Sequence, residues 1–177
     1  INVTPGTLNL IGGSGVLIKT PGLNFEEMVR REPSSMVMSL TSGTARYWAD
    51  ASSGSITLDS ASMIIRGVLD AASEYSEGGL TREYDQRHEA LLPLLSREVP
   101  ALIHADRVAE IQEAMSIAQD YDLRLVITGG VEAYKLADEL AAADVGVILG
   151  NSGSYASDIR GGGEGWSIEG PAILSRA

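Results

Sequence analysis

From residue 34 onward, short apolar runs alternate with stretches where apolar residues recur every three or four positions. Runs of the first kind predict strands at residues 35–40 (SMVMSL), 101–105 (ALIHA), 123–128 (LRLVIT) and 145–149 (VGVIL). Stretches of the second kind predict helices. Residues 58–74 carry Ala61, Ile64, Ile65, Val68, Leu69 and Ala72 on a helical period. Residues 85–98 predict another helix, with Leu91, Leu92, Leu94 and Leu95 as a broad apolar face and Pro100 ending it. Asp106 is placed to cap a helix whose stripe is Val108, Ile111, Met115, Ile117 and Ala118. Gly129-Gly130 breaks the third strand, and residues 131–142 read as a helix with Ala133, Leu136, Ala137 and Leu140 on one side. One more helix begins at Ile168.

Alternation of this kind joins parallel strands through right-handed crossovers, and continuously apolar strands fit a sheet covered on both faces. Two α/β architectures satisfy it, an open doubly wound sheet and a closed barrel. In both, the loops after the strands line the functional face. The Gly-rich segment 150–165 is the longest such loop.

The N-terminal stretch 8–19 (LNLIGGSGVLIK) is apolar but broken by Gly12, Gly13 and Gly15. A dinucleotide fingerprint requires a helix after its glycines, and here strand-like Val16-Leu17-Ile18 follows. A tight backbone turn is therefore expected in place of a phosphate cradle. Neither a G-x-x-x-x-G-K-[ST] loop nor a G-x-S-x-G elbow is present.

Composition narrows the chemistry. The chain has 177 residues, 44% of them apolar and 21% charged, enough for one domain with a sizeable core. The longest apolar run, Leu91 to Leu95, is far too short to span a bilayer, so no membrane partner is expected. A formal charge of -11, with scattered Lys and Arg, argues against a nucleic-acid partner. Cysteine is absent, which removes disulfides, zinc–thiolate sites and thiol catalysis. The chain opens at Ile1 in strand-like sequence and stops at Ala177 in helix-like sequence, so both ends read as cut.

Two histidines are available. His104 lies near the carboxyl end of a strand, just before a helix, which in a barrel is the catalytic face. A hydrogen-bonded core histidine is the competing reading. His88 sits early in a helix among Gln86, Arg87 and Glu89 and reads as a surface residue. Asp50, Asp59, Asp144, Asp158 and Glu164 fall in or near loops and read mostly as solvent-facing charge. Within the Gly-rich loop, Asp158 and Arg160 are the candidates for contact with a substrate.

The order of several short motifs resembles the metal-dependent amidohydrolase superfamily, near its imidazolonepropionase-like branch. They are Val3-Thr4-Pro5-Gly6, Asn9-Leu10-Ile11-Gly12-Gly13 with Lys19, Glu26-Glu27-Met28, Pro100 to Ala105, Leu123 to Gly130, Glu132 to Ala137 and Pro171-Ala172-Ile173-Leu174. The resemblance implies a partial TIM-type (β/α) barrel of about five βα units, with residues 1–177 forming one segment that lacks the first and last strands. It implies zinc at the carboxyl ends of the strands. His104 matches the fifth-strand histidine. The sixth-strand histidine would fall at Gly129, and the lysine-bearing strand aligns Val37 with its ligand. Glycine and valine offer no donor, so one ligand of three would remain.

The expectation is an amidohydrolase-like domain, non-catalytic or strongly divergent, acting as a structural or binding module. Other polypeptide, a separate subunit or the remainder of a precursor, would complete the barrel and cover its sheet edges. The alternative is a metal-dependent hydrolase of cyclic amides or other non-peptide C–N bonds whose further ligands lie outside this chain. A third reading is a small-molecule binding protein on an open sheet, with residues 150–165 as its lid.

Overall fold

The computed structural model describes residues 1–41, 43–44, 56–79, 82–150, 165 and 167–177. Its centre is a curled six-stranded half-barrel sheet in the order β1-β2-β3-β4-β5-β6. The strands are β1 (Asn2–Val3), β2 (Ile11–Ile18), β3 (Val29–Ser39), β4 (Ala101–Ala105), β5 (Leu125–Gly129) and β6 (Gly146–Leu149). β3 to β6 run parallel, as the alternation predicts, while β1 and β2 join antiparallel. The described residues thus hold four parallel strands, with an antiparallel pair ahead of them.

The glycines of β2 lie inside the strand and do not form the expected turn. A Cβ at Gly15 would stand 2.5 Å from Ser35 Oγ, and one at Gly12 would stand 3.0 Å from the Gly6 carbonyl oxygen. Glycine is what lets this strand press against its neighbours. The pairing of β2 with β3 shifts register three times between Ile11 and Ile18.

The two sheet faces separate by parity. Met36, Met38, Ala101, Ile103, Ala105, Leu125 and Ile127 pack in one cluster with Ile65, Leu69, Ile111, Ile117 and Leu140 from the helices. Side chains alternate along a strand, so Val37, Ser39, Leu102, His104, Val126, Thr128 and Ile148 take the opposite, inner face. The open doubly wound sheet of the sequence reading thereby gives way to a barrel-type curl.

Helix α1 is the single turn Phe25–Met28, capped by Asn24, whose side chain accepts from Glu27 N. Helix α2 (Leu58–Glu77) starts at Thr57, whose side chain accepts from Ser60 N, and buries Ala61, Ile65, Leu69 and Ala72. Its Ile64, part of the expected stripe, is exposed. The single helix expected at 85–98 is two turns, α3 (Gln86–Glu89) and α4 (Leu92–Leu95). Pro93 explains the break, since it lacks an N–H and its ring collides with the carbonyl four residues back.

Helix α5 (Val108–Asp120) follows β4. Its start is held by Glu110, not by Asp106: Glu110 Oε2 accepts from the backbone N–H groups of Asp106 at 2.9 Å and Arg107 at 3.1 Å. That frees the Asp106 side chain. After β5 a 3-10 turn (Ala133–Leu136) leads into α6 (Ala137–Ala142), where one continuous helix was expected. Helix α7 (Gly170–Leu174) is shorter than its apolar pattern suggested. No helix of the described residues is long and apolar enough to cross a membrane.

Asp122 and Asp144 end α5 and α6 in the left-handed conformation, at φ 51° and 53°. Leu123 N then donates to the Ala118 carbonyl at 2.8 Å, and Val145 N to the Leu140 carbonyl at 2.9 Å. Each helix is closed this way and its chain turned directly into the next strand.

Candidate functional site

Register sets the site. Ser39, His104, Thr128 and Ile148 stand level across the sheet near the carboxyl ends of β3 to β6. Val37, Leu102, Val126 and Gly146 form the layer below. Val37 therefore faces the same interior as His104 but one layer deeper, and Ser39 is the β3 residue level with the imidazole.

His104 is partly buried. Its Nδ1 shares a hydrogen bond of 3.3 Å with Thr128 Oγ1, whose direction the ring tautomer decides. Its Nε2 faces Asp106 Oδ2 at 3.9 Å, an ionic approach longer than a hydrogen bond. Asp106 Oδ1 is buried without a hydrogen-bond partner. Burial pushes the Asp106 carboxyl above its ordinary range, against the pull of His104, and the neighbouring Glu110 pushes the same way.

Gly129 closes this corner. It lies at φ +90°, and a Cβ there would meet Asp106 Oδ1 at 2.5 Å, His104 Cε1 at 2.7 Å and His104 Nδ1 at 3.0 Å. The imidazole and carboxylate occupy the space a side chain at 129 would need. The backbone around them is tied: Gly130 N donates to the Ala105 carbonyl at 3.0 Å, Glu132 N to the Asp106 carbonyl at 2.8 Å, and Gly150 N to the Gly129 carbonyl at 3.1 Å.

Hydroxyls line the β3 side. Ser39 Oγ and Thr44 Oγ1 lie 2.6 Å apart, and Thr44 Oγ1 donates to the Thr7 carbonyl at 2.7 Å. Behind the site, Glu132 Oε2 accepts from Val108 N at 2.9 Å and Oε1 from Lys135 Nζ at 2.7 Å. Burial works to raise the Glu132 carboxyl, but the lysine and the amide outweigh it and leave it below the ordinary carboxylate range. Both Glu132 oxygens are thereby engaged in local structure.

A small cleft opens on the other side of Gly129, between the ends of β5 and β6 and α7. Val131, Tyr134, Leu149, Pro171 and Leu174 give it an apolar wall, and neither His104 nor Asp106 reaches it.

Among the sequence candidates, the structure brings His104 and Gly129 into contact and sets Val37 on their face. Asp158 and Arg160 lie outside the described residues, as do Asp50 and Glu164. His88 is remote, its ring 5.0 Å from that of Tyr75. Sequence reasoning missed Asp106, which it spent on a helix cap, and Thr128. The signal for Asp106 was its position two residues after His104, where an extended strand end returns a side chain to the same face. Among the described residues, no three of His, Cys, Asp and Glu come together as a set able to hold a metal ion.

Comparison with known proteins bears on this geometry. No protein-family model matches the chain, and no curated protein matches it. A solved structure does: an amidohydrolase from Thermotoga maritima MSB8, with a TM-score of 0.88 and 25% sequence identity. The match covers 99% of this chain and 48% of that one, so the chain spans about half the length of its neighbour. The fold is therefore that of an amidohydrolase-like domain, and the likeness supports the amidohydrolase superfamily.

Proposed function

We propose that this chain is a strongly divergent amidohydrolase-like domain without the superfamily's metal centre, serving as a structural or binding module in a larger assembly. The order of its short motifs supports a place close to the imidazolonepropionase-like branch of that superfamily. The observation that carries this reading is the corner at Gly129. A sixth-strand histidine would have to grow from a backbone whose Cβ direction is filled by Asp106 Oδ1 at 2.5 Å. Val37 supplies only hydrocarbon one layer below, so His104 is left as a single imidazole, and one imidazole does not hold a catalytic metal. The described residues do not fit a zinc centre of the family type.

His104, Asp106 and Thr128 instead make a polar patch on the inner face, continued on the β3 side by the Ser39 and Thr44 hydroxyls. Such a patch orients a ligand or a packed neighbour by hydrogen bonds. Asp158 and Arg160, in the loop after β6, are proposed to contact that ligand.

The competing reading, a metal-dependent hydrolase of cyclic amides or related C–N bonds with ligands from further polypeptide, draws on His104 standing at a strand's carboxyl end. Assay of the native assembly with added zinc on a panel of cyclic amides separates the two. No turnover above a His104→Ala control is expected. Zinc-dependent turnover lost in His104→Ala would overturn the proposal in favour of the enzyme.

A further inference from the structure

The connection between β2 and β3 is rigidly built, yet its tip is bare. Lys19 N donates to the Met28 carbonyl at 2.9 Å and closes the loop at its base. At the tip, Glu27 N donates to Asn24 Oδ1 at 2.9 Å, and Leu23 N donates to Glu27 Oε2 at 3.0 Å. A Cβ on Gly22 would stand 2.6 Å from Met28 Cγ, so the inside of the turn is filled. Asn24 and Glu27 are thus engaged in holding α1, and what the turn presents outward is apolar. Leu23 is 96% exposed, and Phe25, the only phenylalanine of the chain, is 55% exposed. Large apolar side chains on a pre-formed turn lose little freedom on binding, which is what an interface anchor requires.

This tip is not a sheet edge. Both flanking strands are paired with each other, from Ile18 opposite Val29 onward. β3 begins at Val29 and meets β4 only from Met36, so the hairpin extends past the amino-terminal ends of the parallel strands, away from the His104 corner. Its charges also balance. Lys19, Arg30 and Arg31 match Glu26, Glu27 and Glu32, and residues 1–18 carry no Asp, Glu, Lys or Arg, so the net charge of -11 resides in residues 33–177. Two copies of so acidic a chain repel where their acidic surfaces meet, and at this hairpin they approach without that cost. Among the described residues, neither Glu26 nor Arg30 enters an ion pair.

We propose that the β2–β3 hairpin tip is a two-fold interface between copies of this chain. Leu23 and Phe25 of each copy pack against the other, and Glu26 of one pairs with Arg30 of the other. A two-fold contact needs a self-complementary patch, and this tip has an apolar centre flanked by both signs of charge. A membrane surface fits it poorly, because Glu26 and Glu27 stand beside the apolar pair. A strongly charged protein partner would find no net charge to match. The contact leaves the carboxyl ends of the strands open, and it is independent of the metal reading and of what completes the barrel.

Two tips of this size make an interface at the low end of the specific range, so association is expected at about micromolar concentration. Sedimentation velocity of the native protein from about 1 to 200 μM should show a reversible doubling of mass. Leu23→Ser should raise the dissociation constant about tenfold or more, with a circular-dichroism melt like that of wild type; Phe25→Ser replaces it should that variant not fold. Glu26→Arg and Arg30→Glu should each weaken association, since each sets like charges face to face across the two-fold. An equimolar mixture of these two variants should dimerise again, because both contacts then join opposite charges, a rescue that a role within one chain cannot give. A mass that does not double over this range would overturn the proposal. So would association unchanged by Leu23→Ser, or a mixture as dissociated as its two components.

Discussion

Gly129 joins two properties that act in one direction. Its φ of +90° suits glycine, and its Cβ direction runs into the imidazole and carboxylate of His104 and Asp106. Gly129→Ala should therefore destabilise the protein by about 1–3 kcal/mol in urea unfolding, through overpacking and backbone strain. Adding Asp106→Ala should recover part of that loss, because the two substitutions share one volume. Stability equal to wild type in Gly129→Ala would contradict the crowded corner.

Tyr121 is the second residue with a readable state. Burial, and then its hydrogen bond of 2.7 Å to Asp70, push its phenol up to about 12. The folded state thus holds this proton more tightly than the unfolded chain does. Its contribution to stability is complete below the ordinary phenol value of about 10 and is lost as pH rises through about 12. The difference between the ultraviolet titrations of wild type and Tyr121→Phe should show one phenol ionising near pH 12; a midpoint near 10 would refute the hydrogen bond to Asp70.

Among the elements, α5 matters most to the site, because its first turn positions the loop that carries Asp106. Glu110, 6% exposed, accepts from two backbone amides there. Glu110→Ala should cost about 1–2 kcal/mol in thermal or urea unfolding, with the loss concentrated at this turn. At the far side of the helix, Arg66 of α2 bonds to Ser116 at 3.0 Å and Glu113 at 3.2 Å, and it also pairs with Asp120. These bonds fix α5 against α2, and through α5 the end of β4.

The elements were legible wherever one face alone decides the pattern. β4 has the bounds of its apolar run, and α2, β5 and β6 differ from expectation by a few residues. The failures have physical causes. Pro93 split a helix that apolar spacing alone makes continuous. The antiparallel β1 and β2 were hidden because glycines in a strand read as a turn until Ser35 is seen pressing against Gly15. At the site, His104 was found from its place at a strand end. Asp106 was hidden by a competing local use: a carboxylate before a helix reads as its cap, and only the structure gives that task to Glu110.

For the whole molecule, the amidohydrolase-like fold is carried by the likeness to the Thermotoga structure, at a TM-score of 0.88 over 99% of this chain. The resemblance in motif order pointed the same way. The proposal that this chain lacks the superfamily's metal centre rests on two positions on the inner face, Val37 and Gly129. Completing the sheet beyond β6 would give Ile148 and Leu149 a cover, but it would leave Gly129 without a side chain and Val37 without a donor.

The central claim is that this strand-end site does not hold a metal. Elemental analysis of the native assembly, after equilibration with zinc and removal of the excess, tests it most directly. The account predicts zinc well below one ion per chain, unchanged by His104→Ala. Stoichiometric zinc that is lost in His104→Ala would contradict it.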